Sequence, residues 1–207
     1  LSFIKDLVVN EELNNNFKPD LSVELLNELT DLVESPLLVK CNFDESFLDI
    51  PPEVLSTVMK VHQRYIPLYK VNVDFDQLSL DSRNILVPSF LCISNGLSSA
   101  KENIILGNEK VLKARFSDAS FFIKSDLLIN SSSRIDKLKN VTFAEGLGSL
   151  FDRVNRIKWL TKLLTSKLKF DQEDIDKSVK VAHFSKHDLV SNMVDEFPEL
   201  QGVIGSK

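Results

Sequence analysis

The chain has 207 residues, of which 43% are hydrophobic and 27% charged, with a formal net charge of −5 and a pI near 5.3. This is the composition of an ordinary globular protein, long enough for one large domain or two small ones. The acidic balance argues against a surface dominated by nucleic-acid contacts, although a local basic face remains compatible with it.

In chain order, the first clear element follows Pro19-Asp20. Leu25, Leu26, Leu29, Leu32 and Val33 recur at helical spacing, with Pro19 close to the start and Pro36 as the stop. "PLLVKCNF" reads as a buried strand, and "DIPPEVLSTVMK" as a second helix with Pro52 in its first turn. "QRYIPLYKVNV" and "NILVPSFLCISN" read as two strands joined by the polar loop "DFDQLSLDSR". Pro67 and Pro88 inside them mark an edge or a bulge, because proline has no ladder donor. From Lys101 a long helical region runs through "ENIILGNEKVLKARFSDASFFIKSDLL". Val111, Leu112, Ala114, Ala119, Phe122 and Ile123 form its stripe, Arg115 interrupts it, and Gly107 is a break or a start. "NSSSR" is a turn whose serines suit a helix cap, and "VTFAEGLG" is a short β-like passage.

The fold class read from this pattern is α+β. A mixed α/β domain over residues 1–140 precedes an all-α region over 145–207. Three helices are expected in that second region. "SLFDRVNRIKWLTKLLTSKL" places Leu150, Val154, Ile157, Leu160, Leu163 and Leu164 on one face. "DQEDIDKSVKVAHFSK" has acidic residues in its first turn, and "KHDLVSNMVDEF" is stopped at Pro198.

Cys41 and Cys92 lie in apolar surroundings and read as buried thiols of a reducing compartment. No apolar run reaches the ~18 residues of a membrane span, and no signal pattern opens the chain. The absence of an initiator methionine points to an internal piece of a longer protein, cytosolic or organelle-stromal.

Few residues offer chemistry. His187-Asp188 spells the doublet with which HD-type phosphohydrolases hold a metal, but such a site needs more ligands. His62 is expected in another domain, and His183 stands only four residues before His187. His187 is therefore read as a surface residue of a helix, and no metal site is expected. "GNEKVLK" lacks the phosphate-loop pattern, "EGLGSL" is a turn before a helix, and no nucleophilic serine motif occurs. The acidic group Asp171, Glu173, Asp174 and Asp176 is a solvated helix start. No catalytic residue is expected in this chain.

Basic residues carry the remaining signal. Lys110, Lys113 and Arg115 cluster, and Arg153, Arg156, Lys158 and Lys162 share one helix. Lys60, His62, Arg64 and Tyr65 mix charge with an aromatic ring, as single-stranded RNA recognition does. Each cluster also suits a solvated or ion-paired face, and Arg115 suits pairing with Asp118 or Glu109.

Four stretches, "EVLSTVMKVHQRYIPLY", "ILGNEKVLKARFSDASFF", "VTFAEGLGSLFDRVNRI" and "SKHDLVSNMVDEFPELQGVIG", occur in one order with consistent spacing. Together they resemble the β-subunit family of bacterial-type glycyl-tRNA synthetase, over about Leu21 to Gly205. His62, Gln63, Arg64 and Tyr65 match the family's "HQRY". Asn108, Glu109, Arg115, Asp118 and Phe121 match its "GNE…R…DA.FF", while Gly146 to Asp152 and Arg156 match its "LG.L.D…RI". Asp188, Met193, Phe197, Pro198, Glu199, Gln201 and Gly202 match its "DL…MV.EFPELQG" run. His187 is a departure, since the family usually has Ala or Cys there, and this weakens the phosphohydrolase alternative.

The resemblance implies a section with a B3/B4-like region followed by an HD-like helical region. It implies an α2β2 heterotetramer of the cytoplasm or chloroplast stroma, without membrane attachment. In that enzyme the α subunit activates glycine with ATP and Mg²⁺, and the β subunit contributes most of the binding of tRNA-Gly. The tRNA-binding candidates are Lys60, Arg64, Lys110, Lys113, Arg153, Arg156 and Lys158. The alternatives are a metal-dependent phosphohydrolase and a subunit-packing scaffold, the latter favoured by an exposed apolar face at Val58, Tyr65 or Phe121.

Overall fold

A computed structural model describes residues 2–14, 16–71 and 85–207, so the polar loop "DFDQLSLDSR" at 74–83 lies outside the described residues. The chain divides into two compact units, Leu1–Ser120 and Phe121–Lys207. The "VTFAEGLG" passage, where the sequence places a boundary, falls within the second.

The first unit is built on a four-stranded antiparallel sheet. Its strands are β1 (Phe17–Pro19), β2 (Pro36–Asn42), β3 (Ile66–Lys70) and β4 (Leu86–Asn95), in the order β1-β3-β4-β2. Helices α1 (Ser2–Asn14) and α2 (Val23–Leu32) supply Ile4, Val8, Leu25, Leu26 and Leu29 to one core, against Ile66 and Leu68 of β3 and Leu91 and Ile93 of β4. Pro19 belongs to β1 rather than to the start of α2. Ser22 is the cap, its hydroxyl accepting from the Leu25 N–H at 3.2 Å. Leu32 is exposed, while Leu25, Leu26 and Leu29 of the expected stripe are buried and Val33, just past the helix end, packs against the same core. Helix α1 has no equivalent in the sequence reading, because its apolar residues follow no strong helical period.

β3 and β4 are interior strands, so Pro67 and Pro88 do not mark edges. They flank a bulge instead. Between the pairs Pro67↔Phe90 and Tyr69↔Leu86, β3 advances two residues and β4 four. The ladder is interrupted there, and a missing N–H costs little.

Helix α3 (Pro52–Thr57) starts with Pro52 at its first position and passes into a π turn, Val58–His62. Helix α4 (Lys101–Leu127) is continuous for 27 residues. Gly107 does not break it; a Cβ there would meet nothing within 4 Å. Its buried residues in this unit are Leu112, Phe116 and Ala119, with Val111 exposed. Phe43 meets the Phe116 ring edge-on at 5.1 Å.

In the second unit, α5 (Ser131–Lys137) is capped by Asn130 and not by a serine, the Asn130 carboxamide oxygen accepting from the Ser132 N–H at 2.9 Å. A hairpin of β5 (Thr142–Ala144) and β6 (Gly148–Ser149) follows, so this region is not purely helical. Helix α6 (Leu150–Lys167) then packs on α7 (Gln172–Phe184). Leu150 and Val154 of α6 join Ile135 and Leu138 in the core, whereas Leu160, Leu163 and Leu164 are exposed and leave the expected single face. The expected third helix is two short pieces, the 3₁₀ turn His187–Val190 and α8 (Asn192–Glu196), and a further 3₁₀ turn, Pro198–Leu200, follows its stop. Ser191 divides them by capping α8 from extended backbone, its hydroxyl accepting from the Val194 N–H. A final short helix, α9 (Val203–Ser206), closes the described chain.

Candidate functional site

Several residues singled out in the sequence prove to hold the fold. Tyr65 is buried and stacks on Phe90 at 4.6 Å, and its hydroxyl donates to the Asn108 side chain at 2.6 Å. Asn108 in turn donates to the Ile104 carbonyl, and Glu109 accepts the Asn42 backbone N–H at 2.8 Å. The "HQRY" and "GNE" motifs therefore meet, tying α4 to the sheet of the first unit. Burial pushes the Tyr65 phenol up. Gln63 is half-buried, as are His62 and Arg115, and Asp118 is exposed.

Lys60 pairs with Asp20 at 2.6 Å. Arg64 has a left-handed backbone, φ 55°, and holds Glu28 at 3.2 Å and the Val61 carbonyl at 2.9 Å. These contacts brace both sides of the π turn. A cleft of about 420 Å³ beside it is lined by Asp20, Lys60, Ser56 and Tyr69. Burial raises the Tyr69 phenol to about 12, and a hydrogen bond with Ser56 pulls the other way. Lys110 and Lys113 are exposed on α4. Of the three apolar residues named for a packing face, Val58 and Tyr65 are buried and Phe121 is exposed.

His187 is buried at 8% exposure, which corrects its reading as a surface residue. Its Nδ1 lies 2.6 Å from the Phe184 carbonyl, and its ring meets Phe184 edge-on. Asp188, 3% exposed, accepts the Gly202 N–H through a short hydrogen bond. A Cβ on Gly205 would come within 3.0 Å of that carboxylate. Both line a cleft of about 400 Å³ with Phe184 and Lys180. Among the described residues no three His, Cys, Asp or Glu side chains gather as a metal centre requires. Glu199 and Gln201 are exposed at the adjacent turn.

The sequence reading missed a polar hub in this unit. Asp126, 6% exposed, accepts the Asn192 N–H at 3.0 Å on one oxygen and the Met193 N–H at 2.9 Å on the other, which starts α8. Arg134, buried at 7% exposure, lies 3.2 Å from the first of those oxygens and also donates to the Asp126 carbonyl. The signal was present: Asp126 continues the stripe of Leu112, Phe116 and Ala119 at helical spacing, so a carboxylate there falls on the buried side of α4.

Helix α6 gathers the basic candidates. Its start carries a capping box, with the Ser149 hydroxyl accepting from the Asp152 N–H and the Asp152 carboxylate accepting from the Ser149 N–H at 2.8 Å. The Ser149 N–H and hydroxyl, both donating to the carboxylate, hold the Asp152 carboxyl below the usual range. Arg153 lies over the Phe143 ring at 4.4 Å, Arg156 is exposed, and Lys158 is half-buried. Burial, with the Lys158 charge second, lowers the His183 pKa. From Arg153 to Lys169, both ends included, the chain has six Lys or Arg and no Asp or Glu. Trp159, 67% exposed, sits within that run, and no helical or motif pattern in the sequence singles it out. The face can attract a polyanion and offers it an aromatic surface.

Comparison with known proteins gives the family. A curated protein of Bacillus subtilis named glycine–tRNA ligase beta subunit is 44% identical over 193 residues, 93% of this chain and 27% of its own length. A protein of the same name from Trichodesmium erythraeum is 45% identical over 92% of this chain and 26% of its own. One from Streptococcus agalactiae is 39% identical over 98% and 29%. The chain thus spans little more than a quarter of the length of these relatives. A family profile described as "Glycyl-tRNA synthetase beta subunit" matches residues 2–207, nearly the whole sequence. On these grounds the chain belongs to the glycyl-tRNA synthetase beta subunit family.

Proposed function

We propose that this chain is a non-catalytic section of a glycine–tRNA ligase β subunit that binds tRNA-Gly and positions it for aminoacylation at a partner α subunit in an α2β2 assembly. ATP and Mg²⁺ then belong to the α subunit, and this section holds no cofactor of its own. Residues 1–140 are read as B3/B4-like and residues 145–207 as the opening of an HD-like domain, in an enzyme of the cytoplasm or plastid stroma. The observation that carries the binding role is the basic stretch 153–169, most of it in α6, which has six cations and no acid in a chain of net charge −5. An RNA phosphate backbone meets it through Arg153, Arg156 and Lys158, with Lys110 and Lys113 as further cations and Lys60 and Arg64 engaged mainly within their own unit. Holding the tRNA in place would lower the entropic part of the barrier without any reacting group from this chain.

Charge reversal tests the reading. In the full-length enzyme, Arg153→Glu with Arg156→Glu weakens tRNA binding on the order of tenfold at moderate salt, and the deficit shrinks as salt rises. A doubly reversed enzyme that binds tRNA as tightly as its parent at low salt removes α6 from the interface.

A further inference from the structure

Beside the cations of α6 stands one aromatic ring. We propose that Trp159 is a stacking platform for an unpaired base of the bound RNA, an inference that rests on α6 being the tRNA-binding face. Trp159 is the only tryptophan of the chain. At 67% exposure it presents a large ring to water within the described residues of its unit. Helical spacing puts Arg156, Trp159, Leu163 and Lys167 along one exposed side of α6, as i, i+3, i+7 and i+11. The ring is thus bracketed by cations on its own face.

Charge decides the occupant. Arg153, Arg156 and Lys167 stand on or beside the side that carries the ring, the sequence from 153 to 169 holds no acidic residue, and Asp152 is the carboxylate that acts on Arg156, so what covers this side brings negative charge. A single-stranded RNA segment does so with one phosphate per nucleotide, and its unstacked bases have faces free to lie on an indole. A continuous A-form duplex satisfies the cations but not the ring, because its bases are stacked on one another. The exposed Leu160 and Leu163 beside the ring, at 46% and 40%, would also suit an apolar protein segment, which is the competing occupant.

The two are separated by substitutions that keep or remove the π face. Binding is measured with the 207-residue chain and with the full-length enzyme, using tRNA-Gly transcript, a single-stranded oligonucleotide and a blunt RNA duplex. Trp159→Ala is expected to weaken tRNA and single-strand binding about 5- to 150-fold, the range for removing one base stack, while duplex binding stays within about twofold. Trp159→Phe retains most of the affinity and Trp159→Leu does not. In the 207-residue chain, the emission of its sole tryptophan is quenched by tRNA and by the single strand, and not by the duplex. Leucine rescuing as well as phenylalanine, or equal losses on single strand and duplex, overturns the stacking role in favour of an apolar contact. Failure of the α6 reading itself looks different: the charge reversals at Arg153 and Arg156 then leave tRNA binding intact, whatever Trp159 does. Because Trp159 is exposed, unchanged far-UV circular dichroism in all three variants is expected and excludes misfolding as the cause.

Discussion

At the scale of single residues, the polar side chains of the family motifs act as ties. Asp126 is the clearest tie in the second unit, since each of its oxygens accepts a different backbone N–H while Arg134 lies against it. Asp126→Ala leaves a buried guanidinium without its counter-charge and α8 without its second cap. The expected cost is about 3–5 kcal/mol, read from urea unfolding. Cys41 and Cys92 give a pH prediction. Burial raises these thiols from 9.0 to about 12 and about 11, so the unfolded chain ionises first and binds fewer protons above pH 9. Their contribution to stability is complete below that pH and falls as pH rises through 11 and 12, with Tyr69, raised from 10.0 to about 12, adding to the loss. The urea midpoint should therefore drop between pH 9 and 11, and drop less in a Cys41→Ala, Cys92→Ala double variant. The buried state of both cysteines was legible from their apolar neighbours. His187 was misread because its polarity implied a surface, whereas a ring nitrogen placed at the Phe184 carbonyl makes burial tolerable.

At the scale of elements, legibility followed the strength of the local period. β2, β3 and β4 stood out as apolar β-branched and aromatic runs. α4 survived its glycine, because the destabilisation of one interior Gly, about 1 kcal/mol, is small beside the burial of Leu112 and Phe116. α8 and the turn before it read as one helix, since Leu189, Met193 and Val194 keep helical spacing across the break at Ser191. The interruption comes from a capping hydroxyl and from Asp126, far earlier in sequence, and hydrophobic spacing contains neither. Prolines were informative about ladder donors but silent about position, so a bulge in interior strands looked the same as an edge. The start of α6 offers a direct test. Ser149→Ala removes the capping hydroxyl and should cost about 1 kcal/mol. Gly148→Ala should cost at least as much, because φ is +79° and the new Cβ would stand 2.5 Å from the Asp152 carboxylate oxygen. Thermal denaturation of both variants checks this, with Ser149→Asp expected to recover the cap.

At the scale of the whole molecule, the total charge and its distribution say different things. A net charge of −5 speaks against wholesale nucleic-acid binding, yet residues 153–169 carry six basic residues and no acidic one in a mainly acidic chain. If the proposed interface holds, log K for tRNA falls with log salt. Arg153→Glu and Arg156→Glu should each make that slope shallower by about one, since each withdraws a cation from one phosphate. Titrations across about a fourfold span of salt, from roughly 50 to 200 mM, are enough to resolve such a change. Trp159→Ala, which removes no charge, should leave the slope where it was.

The hub at Asp126 also bears on the clock of the molecule. Helix α8 is five residues long and has no stability of its own in water. Its first two amide hydrogens are held by a carboxylate 66 and 67 residues away in sequence, not by a neighbouring turn. In native-state deuterium exchange, Asn192 and Met193 should therefore exchange far more slowly than the free ends of other short helices. Their rates would report the opening of a long loop closed at Asp126, and Asp126→Ala should release both amides together while the middle of α4 stays protected.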